Sequence, residues 1–172
     1  VDNIDGDITS SIVVTNAVNV NALGTYTVSY TVSDASGNAA IETMRIVNVI
    51  GVIDIDGNGQ YDALTDGLLL LRSMFGLDGD PLIVGTVASD ATLKSAAEIE
   101  NRIDNLGLLV DVDGNGKIDA LTDGLLILRY LFGLDGDPLI KDVVAPDAVR
   151  DTAAEIEAHL ESLMPILQAD LL

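Results

Sequence analysis

Hydrophobic and polar positions follow two different periods along this chain. Tyr26, Val28, Tyr30 and Val32 interleave with Thr27, Ser29, Thr31 and Ser33. Alternation of period two marks a strand with one face buried. Asp34-Ala-Ser-Gly-Asn38 is turn chemistry, the segment 40–49 returns as another strand, and Ile12 to Val14 supplies an earlier one. The first 49 residues therefore predict a small antiparallel β domain.

Beyond residue 50 the pattern becomes helical and repeats. Residues 51–107 and 108–164 align without a gap, and most aligned positions are identical. Each copy predicts an acidic loop, an apolar helix, a Gly-rich turn and a second helix. The apolar helix is expected from Asp66 to Phe75 and from Asp123 to Phe132, stopped by Gly76 and Gly133. The turn Gly-Leu-Asp-Gly-Asp-Pro-Leu-Ile occurs twice unchanged, at 76–83 and 133–140. The second helix opens on a capping box, Ser95-Ala-Ala-Glu98 or Thr152-Ala-Ala-Glu155. Its buried stripe is Ile99, Ile103 and Leu106 in one copy and Ile156, Leu160 and Leu163 in the other. The helix from 96 to 106 is expected to enter the second loop, and the helix from 153 to 163 to cap the first.

The loops carry the candidate chemistry. One runs Asp54-Ile-Asp-Gly-Asn-Gly-Gln-Tyr-Asp-Ala-Leu-Thr-Asp66, and the other Asp111-Val-Asp-Gly-Asn-Gly-Lys-Ile-Asp-Ala-Leu-Thr-Asp123, 57 residues later (111 − 54). Oxygen-bearing side chains at positions 1, 3 and 5 with Gly at 6 open an EF-hand calcium loop. Calcium needs six to eight oxygens, and Gly permits the sharp turn that gathers them. The expected ligands are Asp54, Asp56, Asn58 and the Gln60 carbonyl, then Asp111, Asp113, Asn115 and the Lys117 carbonyl, for two Ca2+ ions. Thr65 and Thr122 stand where the closing carboxylate normally falls, so each loop carries one extra residue. Asp66 and Asp123 are favoured to close the sites over a purely helix-capping role. Asp62 and Asp119, at position 9, could coordinate directly or through water. Concentrating four carboxylates per loop couples cation binding to folding.

Composition narrows the classes further. Of 172 residues 28 are acidic and 8 basic, a formal net charge of −20. That argues against nucleic acid and anionic membrane surfaces, which select Lys and Arg. No apolar run is long enough for membrane insertion. Without Cys there is neither a disulfide framework nor a thiolate metal site. A secreted or extracellular bacterial surface protein, of which this chain is a fragment, is the expectation. An enzyme is not: no nucleophile elbow or phosphate loop is present, and the single His159 is placed on the polar side of an amphipathic helix.

Two resemblances extend this reading. Asp5-Gly-Asp-Ile-Thr9, the run Gly24 to Asp34, and Gly37-Asn38 resemble the C-terminal part of bacterial immunoglobulin-like repeats. Such repeats carry further strands before this point, which implies an unpaired edge open to dimerisation. The motif Asp-x-Asp-Gly-Asn-Gly-x-x-Asp-Ala-Leu, followed by Asp and an apolar helix carrying Arg, resembles dockerin repeats, which plug into cohesin domains. Here the loop carries one extra residue, and the repeat is far longer than the usual dockerin repeat. The resemblance implies a cohesin-like partner met by Ala63, Leu64, Leu71 and Arg72, and by Ala120, Leu121, Leu128 and Arg129. The expected fold is therefore multi-domain α and β: an Ig-like β-sandwich fragment (1–49), then an all-α tandem EF-hand, dockerin-like domain (50–172). The expected function is calcium-dependent docking, with a calcium-rigidified spacer as the alternative. An exposed apolar patch on the loop–helix faces would favour docking; faces buried within the repeats would favour the spacer.

Overall fold

A computed structural model describes residues 4–19, 22–49 and 51–167. These form two compact units: the residues up to Val49 together with Ile166 and Leu167, and Gly51–Pro165.

In the first unit, strands β1 (Val13–Asn16), β2 (Ala22–Thr31) and β3 (Thr43–Val49) form an antiparallel sheet in the order β1-β2-β3. A two-residue strand, β4 (Ile166–Leu167), runs parallel to the start of β2. Register pairs Tyr26 with Val47, Val28 with Arg45, and Tyr30 with both Thr43 and Val14. The alternating apolar residues of β2 thus share one face, on which Val28 is buried. Met44 and Ile46, opposite Ser29 and Thr27, are exposed on the other face. The expected turn forms: Asp34 accepts the Asn38 N–H on Oδ1 at 2.7 Å, and Gly37 takes a φ of +86° that favours glycine. The sequence predicted part of a two-sheet sandwich; the described residues form a single sheet layer.

In the second unit both repeats take the same path. Each loop leads into a π-helical turn (Ala63–Gly67, Ala120–Gly124) continuous with α1 (Leu68–Met74) or α4 (Leu125–Leu131). The expected Gly-rich turn contains a helix of its own, α2 (Gly79–Ile83) or α5 (Gly136–Ile140). Pro81 and Pro138 suit its first turn, where an N–H would have no partner. Glu100 and Glu157 reach back to accept the Gly79 and Gly136 N–H at 2.7 Å, fixing its start. Leu82 and Leu139 then drop fully into the core, so the apparent linker is a packing element. The helices α3 (Ala96–Asp104) and α6 (Ala153–Ser162) begin at the predicted capping boxes, with both reciprocal bonds made. A 3-10 turn at Gly107–Val110 joins α3 to the second loop. The residues after α6 close on the first loop: the Val52 N–H donates to the Leu163 carbonyl at 2.9 Å, and the Tyr61 hydroxyl to the Pro165 carbonyl at 2.7 Å.

One core serves both repeats, built from Ile53, Ile55, Leu69, Leu70 and Ile99 with their counterparts Val110, Val112, Leu126, Ile127 and Ile156. The segments holding α1 and α4 meet at two glycines. A Cβ on Gly67 would lie 2.9 Å from Leu128 Cδ1, and one on Gly124 2.8 Å from Leu71 Cδ1. Both glycines have ordinary helical φ and ψ, so space, not backbone freedom, selects them. Gly67→Ala is expected to be nearly neutral, because helix propensity of about 1 kcal/mol offsets a contact with a flexible leucine tip. Gly67→Val should cost about 1–2 kcal/mol from overpacking. Chemical denaturation in calcium checks the pair; equal midpoints for Val and wild type would contradict this crossing.

Candidate metal centre

Each loop folds three carboxylates inward. Ligand-competent oxygens of Asp54, Asp56 and Asp66 lie within 4.8 Å of one another, as do those of Asp111, Asp113 and Asp123, and all six residues are buried. The π-helical turn explains how a loop with one residue too many still closes. The Gly67 N–H donates to the Asp62 carbonyl at 3.2 Å and the Gly124 N–H to the Asp119 carbonyl at 3.1 Å, five residues back. The wider turn absorbs the added residue and carries Asp66 or Asp123 into the triad.

These closing aspartates are held by the loop backbone. Asp66 Oδ1 accepts from the N–H of Ile55 (2.7 Å) and Asp56 (3.3 Å), and Oδ2 from Asp62 (2.8 Å). Asp123 does the same with Val112 (2.6 Å), Asp113 (3.2 Å) and Asp119 (2.8 Å). Asp62 and Asp119 themselves point to solvent and contribute N–H groups, not carboxylates, to this arrangement. Asn58 and Asn115 sit at the loop rim, each Oδ1 accepting the N–H of Gln60 (2.9 Å) or Lys117 (2.8 Å). Asp54 is the telling residue. It is 7% exposed, its Oδ2 accepts the Gly59 N–H at 3.0 Å, and its Oδ1 is buried with no hydrogen-bond partner. A buried unsatisfied carboxylate oxygen costs free energy unless a cation meets it.

Electrostatics agree with that gap. Burial pushes the Asp66 carboxyl up to about 6 against the backbone N–H groups that pull it down, and raises Asp123 and Asp54 as well. Burial, with Asp54 and Asp66 nearby, also lifts the Tyr61 phenol to about 12. The consequence is testable on the cation-free protein. An unfolded Asp titrates at about 3.9, so Asp66 favours the fold most below that value. The benefit is lost as pH rises through about 6. In chelator, the helical unit should therefore melt several degrees higher at pH 5 than at pH 7.5. With calcium the order should reverse, because protons compete for the same oxygens. Thermal melts in the four conditions check this; a chelated protein less stable at pH 5 would contradict it.

The residues expected to face a partner are distributed differently. Leu64 and Leu121 are 62% and 64% exposed, whereas Ala63 and Ala120 are buried. Leu71 and Leu128 are half-buried, each beside the other repeat's glycine. Arg72 donates through Nη1 to the carbonyls of Leu82 (3.1 Å) and Val84 (2.9 Å), and Arg129 to those of Leu139 (3.1 Å) and Lys141 (2.8 Å). Both guanidinium groups therefore serve the chain's own backbone at the ends of α2 and α5.

Two arginines that sequence reasoning passed over stand behind the loops, together with His159, which was expected on the polar side of its helix and is half-buried. Arg102 on α3 donates to the carbonyls of Gly51, Val52 and Asp54. Its counterpart in the second repeat is His159, half-buried, with Nε2 3.0 Å from the Leu109 carbonyl. A carbonyl only accepts, so Nε2 carries the proton, and burial holds the ring below its ordinary pKa. The rest of the role passes to Arg150, which donates to the Asp111 and Val112 carbonyls from the position that Leu93 holds in the first repeat. The signal available in the sequence was the pair of unequal positions Arg102/His159 and Leu93/Arg150, which lie among other unequal pairs such as Val84/Lys141 and Lys94/Asp151.

Among the described residues no helix is long and apolar enough to cross a membrane. No curated protein and no solved structure matches the chain. Residues 1–49 match the family model of the bacterial surface protein Ig-like domain, a match confined to the β region.

Proposed function

We propose that this chain is a non-catalytic, calcium-binding module of a secreted bacterial surface protein, in which two calcium ions hold the helical unit in shape. The observation that carries this reading is the buried three-carboxylate cluster built in both repeats; in the first, Asp54 Oδ1 is unpartnered, while in the second Asp111 Oδ1 accepts the Gly114 and Asn115 N–H. Oxygen-only donors in a loop of three carboxylates, an Asn and a peptide carbonyl suit a hard, large cation that tolerates irregular geometry. Magnesium demands a tighter octahedron and gives up its water reluctantly. The side chains of Asp54, Asp56, Asn58 and Asp66, with the Gln60 carbonyl, would hold the first ion. Asp111, Asp113, Asn115 and Asp123, with the Lys117 carbonyl, would hold the second. Titration calorimetry on chelator-stripped protein tests this. Two calcium ions per chain, with magnesium at least tenfold weaker, is the expected outcome. No calcium uptake would sink the reading.

A spacer role accounts for more of the geometry than docking does, since Leu71, Leu128, Arg72 and Arg129 are used within the chain. Docking onto a cohesin-like partner keeps one specific observation in its favour, the exposed Leu64 and Leu121 at equivalent loop positions. If that reading holds, a β-sandwich protein should be captured from the source's secreted fraction in millimolar calcium and released by chelator. Leu64→Asp with Leu121→Asp should then abolish capture without changing calcium uptake. Capture unaffected by the pair would dismiss this face.

A further inference from the structure

The candidate sites extend beyond their loops. In each repeat the chain between the short helix and the next long one runs back over the acidic loop as a strap. The Ala88 N–H donates to Asp56 Oδ2 at 2.9 Å, and the N–H groups of Thr92 and Leu93 donate to the Asp56 carbonyl at 3.0 and 2.9 Å. In the second repeat Ala145 donates to Asp113 Oδ2 at 3.1 Å, and Val149 and Arg150 to the Asp113 carbonyl at 2.9 and 2.8 Å. A strap pinned at both ends to the position-3 aspartate sets its own aspartate against the loop's outer side. Asp90 Oδ1 accepts from Asn58 Nδ2 and Asp90 Oδ2 from Gln60 Nε2, each at 3.4 Å. Asp147 Oδ1 accepts from Asn115 Nδ2 at 3.2 Å, and its Oδ2 pairs with Lys117 Nζ at 2.7 Å.

An amide has one oxygen and one nitrogen, so holding the nitrogen outward aims the oxygen inward. Asn58 Oδ1 and Asn115 Oδ1 are accordingly the atoms turned back to the loop, where they accept N–H groups. Resting on the calcium reading above, we propose that Asp90 and Asp147 are outer-sphere positioning residues of the two sites. Each orients and polarises the loop asparagine as an oxygen ligand. Carboxylates behind metal ligands act in this way, and their loss typically lowers affinity about 10- to 100-fold. Both side chains lie at the surface, so removing either should cost affinity and little fold stability.

The test uses the whole chain and terbium as well as calcium. Tyr61, beside the first triad, can sensitise terbium there, while Ile118 at the same position of the second repeat cannot. Asp90→Ala should weaken terbium and calcium at the first site about tenfold and leave the second calcium step unchanged. Its melting temperature in chelator should stay at the wild-type value, a result that a merely structural role would not give. Asp90→Asn keeps an acceptor for Asn58 and should recover part of the loss; Asp147→Ala should weaken the second step alone. Wild-type affinity in Asp90→Ala, with two calcium ions still bound, would overturn this proposal and spare the calcium reading. No calcium bound by wild type would overturn both.

Discussion

Chelation should lower the melting temperature of the helical unit by roughly 15 °C or more relative to the calcium-saturated protein. Binding that occurs only in the folded state stabilises it by about 2.7 kcal/mol per site at a hundredfold excess over Kd, and two triads make about 5 kcal/mol. For a unit of this size one kcal/mol moves the midpoint by about 3–6 °C. The unfolded chain cannot compete for the ion, since Asp54 and Asp66 converge only once the π-helical turn has formed. Within the cation-free fold the same residues repel, and Asp54 Oδ1 is left without a partner. Melts followed by far-ultraviolet circular dichroism, in millimolar calcium and in chelator, measure the difference. The helical signal should move while the β signal of the first unit stays. Identical midpoints in the two conditions would remove calcium from the account of this fold.

How much of this was legible depended on whether a residue's partner lies nearby in sequence. The capping boxes at Ser95 and Thr152 were readable because both bonds close within three residues. The convergence of Asp54, Asp56 and Asp66 followed from loop spacing, but the device that admits the extra residue did not. Nothing in Ala-Leu-Thr-Asp-Gly distinguishes a π turn from an α turn until the Asp66 carboxylate must reach the Ile55 and Asp56 N–H groups. Gly79 to Ile83 read as a turn because Gly and Pro dominate it; burial of Leu82 overrides that propensity. The straps were illegible for a different reason. The recurrence of Asp90 at Asp147 is visible in the repeat, yet spacing says nothing of which loop amide each aspartate meets. The β region was readable strand by strand from its alternation, whereas its expected second layer rested on resemblance and not on any pattern within these residues.

Arg72 shows the same limit, and replacing it with Met should lower stability by about 2 kcal/mol in saturating calcium. From the sequence a lone cation on an apolar helix looked like a partner contact, since basic residues are scarce. In the structure its Nη1 faces the carbonyls of Pro81 (3.4 Å), Leu82 (3.1 Å) and Val84 (2.9 Å) and the Thr86 hydroxyl (3.4 Å). The last carbonyls of a helix have no partner within it, and α2 is too short to leave many others. One charged donor therefore satisfies several acceptors around fully buried Leu82. Hydrogen bonds to charged groups contribute about 1.5–3 kcal/mol, and Met retains the aliphatic stem, which isolates that contribution. Lys should restore part of it, because a single nitrogen makes all four contacts and an ammonium carries three donors on one nitrogen. Arg129→Met should cost slightly less, since Val143 stands where Thr86 offers its hydroxyl. The two losses should nearly add, as each arginine serves its own repeat. Denaturant midpoints for the single and double variants decide the matter. A wild-type midpoint for Arg72→Met, together with loss of a captured protein, would return this arginine to the docking surface.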